Sequence, residues 1–142
     1  MIVMKAEMRL LLIEENAFMA YEVQNCVNLL GIFSIGLYST VDDALRDPLR
    51  SREPYDIVLL RQGVDPLQDL IHLHELHKKV GAEHIFLTGI YGRLQQKALL
   101  QATVSLGLPL HDILRLPLKQ PALHCALLPY LTFECLAAVR HY

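Results

Sequence analysis

The stretch YDIVLLRQGVDP, residues 55 to 66, carries an apolar run, Ile57 to Leu60, that ends abruptly on Arg61. In open α/β sheets the carboxyl ends of the strands face the crevice where ligands and chemistry sit. A guanidinium delivered there is a site residue or the relic of one. Other chemistry-bearing types are sparser. His74 and His77 lie three apart on one helical face, with His72 to one side, so two imidazoles can meet one ion. A closed site needs further ligands, and the neighbouring Glu75, Lys78 and Lys79 read as an ordinary solvated face, so no metal is expected. Cys26, Cys125 and Cys135 form no C-x-x-C pair and are odd in number, which argues against a disulfide framework or a zinc ribbon. Cys26 and Cys125 fall on helices expected to share a face, where a buried small hydrophobe is the simpler account. No glycine-rich phosphate loop follows the first apolar run, only EENAF. No nucleophile with a base beside it is visible, so the chain is not read as an enzyme.

Short apolar runs alternate with longer segments of helical period. Arg9 to Ile13 reads as strand β1, and Ala17 to Leu30, with Phe18, Tyr21, Val23, Val27 and Leu30 at helical spacing and Gly31 closing it, as α1. Ile32 to Tyr38 is β2, and Ser39 or Thr40 can cap α2, which runs from Asp42 through Leu45 until Pro48 ends it. Ile57 to Leu60 is β3. Pro66 opens α3, which continues through Leu67, Leu70, Ile71, Leu73 and Leu76 to Gly81. Ile85 to Thr88 is β4, about Arg93 to Leu106 is α4, Ile113 to Leu116 is β5, and Leu123 towards Arg140 is α5. This alternation implies parallel strands joined by right-handed crossovers. The expected fold is a five-stranded, doubly wound α/β sandwich with the flavodoxin-like strand order 2-1-3-4-5.

With 142 residues, 53% hydrophobic and 20% charged, the chain suits one domain that builds its core without staples. Residues 1–7 read as a loose extension and 8–142 as the domain. The net charge is −2 and the 13 basic residues form no run, so nucleic acid is not an expected partner. The amino end MIVMKAEMRLLLIEENA is broken by Lys5, Glu7 and Arg9 and lacks the continuous apolar core of a signal peptide or membrane span. A cytoplasmic location follows as the expectation.

The strand ends RLLLIEEN, YDIVLLR, IFLTG and LPLKQP together make the chain, from about Met8 to Leu131, resemble the receiver domain of bacterial two-component response regulators. In that family an acidic pair and a phosphorylatable aspartate hold Mg²⁺, a Ser or Thr contacts the phosphoryl group, and a lysine pairs with it. The resemblance puts Glu14 and Glu15 at the acidic pair, Arg61 at the acceptor, Thr88 at the hydroxyl position and Lys119 at the lysine. Leu116 stands at the family's aromatic switch position. The family's Lys-Pro pair is interrupted as Lys119-Gln120-Pro121, so a cis peptide of the kind found there would fall at Gln120-Pro121. The segment LTGIYGRLQQKALLQATVSLGLP is similar, at Gly89, Arg93, Gly107 and Leu108, to receivers attached to EAL-type cyclic-di-GMP phosphodiesterase domains, and no EAL domain lies in these residues.

Arginine has no nucleophilic oxygen, so no acyl phosphate forms at position 61. Its charge opposes Mg²⁺, which needs carboxylate oxygens in near-octahedral array, so metal binding is expected to be weak or absent. Strands β1 and β3 are neighbours about 5 Å apart, so Arg61 can reach Glu14 and Glu15 with charge-assisted, bidentate hydrogen bonds. The expectation is a pseudo-receiver locked in one conformation; the alternative is that Arg61 points to solvent. Asp65, just past Arg61, and Asp56 are candidates for a displaced acceptor, Asp56 being better placed to satisfy loop amides.

The apolar residues of the last segment spread beyond a single stripe. Receivers commonly dock or dimerise through the face of α4, β5 and α5, so a protein partner or homodimer is expected there, with Leu123, Leu127, Tyr130 and Leu131 as contacts. The alternative is a helix tucked into its own core. Pro129 should kink or restart that helix. The resulting reading is an atypical, phosphorylation-independent receiver acting as a signalling module. A second reading is a small-anion or nucleotide-binding regulatory domain using Arg61, Lys119 and Arg93 in the cleft at the strand ends.

Overall fold

The computed structural model describes residues 8–47 and 54–131. Strands and helices alternate as β1 (Arg9–Ile13), α1 (Ala17–Leu29), β2 (Ser34–Tyr38), α2 (Val41–Arg46), β3 (Ile57–Arg61), α3 (Pro66–Val80), β4 (His84–Gly89), α4 (Arg93–Leu106), β5 (Leu110–Arg115) and α5 (Gln120–Leu127), followed by a 3-10 turn at Leu128–Tyr130. All neighbouring strands are parallel, in the order β2-β1-β3-β4-β5. This is the doubly wound, flavodoxin-like sheet expected from the alternation. The expected extension over residues 1–7 and the continuation of the last helix past Leu131, Cys135 included, lie outside the described residues.

Strand alternation divides the core between two faces. Leu11, Ile13, Val58 and Leu60 point towards Leu73, Leu76 and Val80 of α3 and Leu99 of α4. Leu10, Leu12, Ile57 and Leu59 point towards Ala20, Val23 and Val27 of α1 and Leu123 and Leu127 of α5. Each such side chain, fully buried, contributes roughly 1.5–3 kcal/mol. The connections are set by capping. Asn16, Thr40 and Asp65 accept hydrogen bonds from the amides of Met19, Asp43 and Gln68 at 3.0, 3.1 and 2.8 Å. Gly81 and Gly107 close α3 and α4 in the left-handed region, at φ 71° and 67°.

Several residues face differently from the sequence expectation. Phe18 and Tyr21 of α1 and Leu67 and Ile71 of α3 are exposed. The expected Val23, Val27, Leu30, Leu73 and Leu76 are buried, and the stripes are completed by Ala20 on α1 and by Asp69 and Val80 on α3. β5 begins at Leu110 because it is an edge strand whose first half is polar, so an apolar run alone misses its start. α5 ends at Leu127, and Pro129, which has no N–H and crowds the preceding turn, sits in the 3-10 turn. Leu123 and Leu127 are not partner contacts as expected: both are fully buried against β1 and α1. Tyr130 and Leu131 are half-buried against the same core. The cis peptide is Leu116-Pro117, not Gln120-Pro121. Among the described residues no helix is long and apolar enough to cross a membrane.

A ring cluster lies at the amino ends of β4 and β5. The ladder shifts register so that Ile85 pairs with Leu110 and Phe86 with Asp112, leaving His111 as the bulged residue. His111 Nε2 and His84 Nδ1 are 2.8 Å apart, and the Tyr130 hydroxyl is 3.0 Å from His111 Nδ1. The His84 and Tyr130 ring centroids are 4.4 Å apart. Burial, and then the neighbouring His111, push the His84 pKa down, with Glu83 opposing. A lowered histidine pKa means the unfolded chain takes up the proton first as pH falls. Stability is therefore unaffected above the ordinary histidine range near 6.5 and declines as pH drops below it. Urea unfolding at pH 7.5 and 5.5 should show this acid-side loss in the parent and a smaller one in His84→Phe; equal losses would exclude His84 as the source.

Candidate functional site

The register of the ladder explains why Arg61 meets a carboxylate. Ile13 pairs with Leu60 across β1 and β3, so Glu14 and Arg61 occupy the next matched positions and project to the same side. Glu14 is buried because its amide extends the β1–β2 ladder, donating to the Tyr38 carbonyl at 3.0 Å. Arg61 Nη1 donates to Glu14 Oε1 at 2.6 Å. The other carboxylate oxygen accepts the Asn16 amide at 3.1 Å. The contact is therefore single-pronged rather than the bidentate fork expected, because the loop leading into α1 holds the second oxygen. The Glu14 side chain is 4% exposed and that of Arg61 34%, so the anion is sealed in while its cation is partly wet.

The remaining expected members are dispersed. Thr88 is buried on β4 and pairs in register with Arg61, so it does stand beside the pair. Glu15 is exposed, makes no ion pair with Arg61, and lines an adjoining cavity of about 440 Å³ together with Ser39, Thr40, Arg61, Gln62 and His72. Lys119 does not join this site: it is exposed at the start of α5 and lines a separate cavity between β5 and α5. The residue just past the end of β5 is Leu116, whose amide donates to the Gly89 carbonyl at 3.0 Å. Leu116 is buried, so the position just past β5 beside Gly89 is aliphatic. Arg93 lines a third cavity. Arg61, Lys119 and Arg93 thus do not converge on one anion. Asp65 is occupied as the α3 cap, and Asp56 accepts the Arg9 amide at 2.8 Å, the loop-amide role expected of it.

The oxygen donors present do not fit Mg²⁺. One Glu14 oxygen is taken by a guanidinium and the other by a backbone amide, Glu15 is turned to the cavity, and β3 ends on a cation rather than an oxygen donor. Among the described residues no group of three or more His, Cys, Asp or Glu can hold a metal ion, and this includes His72, His74 and His77. Cys26 and Cys125 are free thiols, half-buried and exposed respectively, so the small-hydrophobe account does not extend to Cys125.

The sequence reading missed a second polar knot beside the pair. Asp69, fully buried on α3, accepts the Gly63 amide at 2.7 Å through Oδ1 and the Tyr91 hydroxyl at 2.8 Å through Oδ2. Burial and then the Asp69 hydrogen bond push the Tyr91 pKa up, and the nearby Arg61 charge acts the other way. Gln62 Oε1 accepts the Ile90 amide at 2.8 Å. Its side chain crosses Gly89, where any Cβ would meet the Gln62 side chain. The loops after β3 and β4 are thus stapled to each other just past Arg61. One signal was in the sequence: Asp69 interrupts an apolar stripe that continues through Leu73, Leu76 and Val80 at helical spacing.

No family model matches the chain and no curated protein matches it in sequence. Solved structures do match in fold. A response regulator from Colwellia psychrerythraea superposes with a TM-score of 0.68 at 15% identity, covering 87% of this chain and 96% of that one. An orphan response regulator of H. pylori gives 0.67 at 17% identity, covering 88% and 97%. The signal receiver domain of an HD domain-containing protein from Pseudomonas fluorescens Pf-5 gives 0.66 at 19% identity, covering 99% and 93%. The chain has the fold of response-regulator receiver domains, with an arginine–glutamate pair at the carboxyl end of its central strands.

Proposed function

We propose that the chain is a cytoplasmic, phosphorylation-independent receiver-type module that signals through protein contacts on the face of α4, β5 and α5. One observation carries this reading: the 2.6 Å contact between Arg61 and buried Glu14 at the strand ends, where the receiver fold places its acceptor chemistry. The guanidinium neutralises the buried carboxylate as a metal ion would, yet offers no oxygen to a phosphoryl donor. Leu116, just past β5, offers no counter-charge to a bound phosphoryl group, and the last cation of β5, Arg115, lines the separate groove beside α4. The reading includes no enzymatic activity and no cofactor.

Amide NMR spectra with and without Mg²⁺ and beryllofluoride, a phosphoryl mimic, test the proposal. The expected result is no shift at Glu14, Arg61, Thr88 and Leu116. Saturable shifts confined to those residues would overturn it and point to a surviving acceptor.

A further inference from the structure

The face of α4 and β5 has an unusual charge balance. Residues 93–131 carry Arg93, Lys97, Arg115 and Lys119 against Asp112 alone, 4 − 1 = +3, while the whole chain is 13 − 15 = −2 and the remainder therefore 9 − 14 = −5. The positive charge is local to this segment, three of its four cations lining one groove, rather than the background of a basic protein. Between α4 and β5 lies a groove of about 520 Å³, lined by Arg93, Lys97 and Arg115 with Tyr91, Gln96 and Leu100, and no carboxylate lines it. Arg93, Gln96, Lys97 and Leu100 follow one another at helical spacing along one side of α4, and Arg115, the last residue of β5, closes the other wall. None of the three cations is ion-paired with another described residue. Leu100 is half-buried on the core, and Leu94 and Val104 on α4 are both 81% exposed, so apolar surface lies within and beside the charged groove.

We infer that this groove docks a short acidic segment of a partner protein, with aliphatic residues interspersed among its carboxylates. The inference rests on the reading above that the α4-β5-α5 face carries the signalling contacts, and adds the chemistry of the partner. Three features favour such a segment over other anions. A nucleic-acid backbone is a dense polyanion, which a chain whose remaining residues sum to −5 does not attract beyond the groove. A single inorganic phosphate prefers converging backbone amides. Here the Gly92 amide is already taken by Gln95 Oε1 at 3.0 Å, and the cations are spread along the groove. A peptide can place carboxylates opposite each cation while its aliphatic side chains cover Leu100 and the exposed Val104 one turn along α4.

The test is titration of the labelled full chain with an acetylated, acidic, leucine-containing peptide at low salt, read by amide NMR. A peptide with lysine at the acidic positions serves as control. The expected result is saturable, one-to-one shifts at Tyr91, Arg93, Lys97, Leu100 and Arg115, absent with the lysine peptide. Affinity should fall about tenfold in the R93Q/K97Q/R115Q variant, with the melting temperature unchanged because all three side chains are exposed. Shifts mapping elsewhere, an unaltered affinity in the triple variant, or displacement of the peptide by equimolar pyrophosphate would each overturn the inference, the last by making the groove a small-anion site. Beryllofluoride added with Mg²⁺ to the peptide-free protein separates the two readings. A response at Arg61 overturns the phosphorylation-independent function alone, whereas failure of the peptide to bind overturns the groove alone.

Discussion

Arg61→Ala lowers the unfolding free energy by about 2–3 kcal/mol. The cost comes chiefly from what the substitution leaves behind. The Glu14 side chain is 4% exposed, and losing the guanidinium strands a buried carboxylate with only the Asn16 amide as partner. The figure is kept below that of a fully sealed pair because the Arg61 side chain is 34% exposed, so solvent already screens part of the attraction. Paired substitution separates the attraction from the burial penalty. Arg61→Leu with Glu14→Leu removes both charges together and should recover most of the loss, since apolar replacement of a buried pair is often neutral or better. Urea unfolding of the parent, both single variants and the double variant measures the coupling. If Arg61→Ala costs under about 0.5 kcal/mol, the arginine is a surface residue that merely lies near Glu14, and the lock fails.

That pair was legible in the sequence for a definite reason. The apolar runs of β1 and β3 set the strand ends, neighbouring strands keep register, and matched positions project together, so an Arg after one run and a Glu after the other had to meet. Order and direction of the strands followed from the same alternation. What failed was everything decided beyond a strand end. Lys119 was placed in the site by the receiver resemblance of LPLKQP, but β5 stops at Arg115 and the Pro117–Lys119 loop carries the lysine out to the start of α5. The ladder to β4 ends with Arg115 opposite Gly89, and the next residue, Leu116, is the one whose amide bonds the Gly89 carbonyl. Helix faces were misjudged where aromatic or branched residues sat outward: Phe18 and Leu67 are larger than the Ala20 and Asp69 that fill the inner stripes, and hydrophobicity alone ranks them the wrong way. The α5 contacts failed similarly, because an apolar residue on a helix of unknown tilt can serve a partner or the core, and Leu123 and Leu127 serve the core.

Asp69→Ala costs about 3 kcal/mol, because it leaves the Gly63 amide and the Tyr91 hydroxyl without acceptors in a buried setting, at roughly 1–3 kcal/mol for each orphaned group. Tyr91→Phe removes one donor and leaves the carboxylate with the Gly63 amide, for a smaller loss of about 1–2 kcal/mol. The two losses should not add, since both variants break the same 2.8 Å bond. The dynamic consequence is as direct as the energetic one. Asp69 holds the turn after β3 through Gly63 and the turn after β4 through Tyr91, and Gln62 binds the same two turns through Ile90. With the Asp69 side of this staple cut, both turns should enter microsecond-to-millisecond exchange detectable by relaxation dispersion, while the Gln62 contact keeps them from separating fully. A receiver fold that switches needs one of these turns to move. Under the proposed reading, a chain that holds both turns with a buried carboxylate and ends β3 on Arg61 presents one conformation of α4 and β5. If Tyr91→Phe leaves stability and exchange unchanged, the rigidity lies elsewhere in the core, and the loops are fixed by packing rather than by this hydrogen-bonded knot.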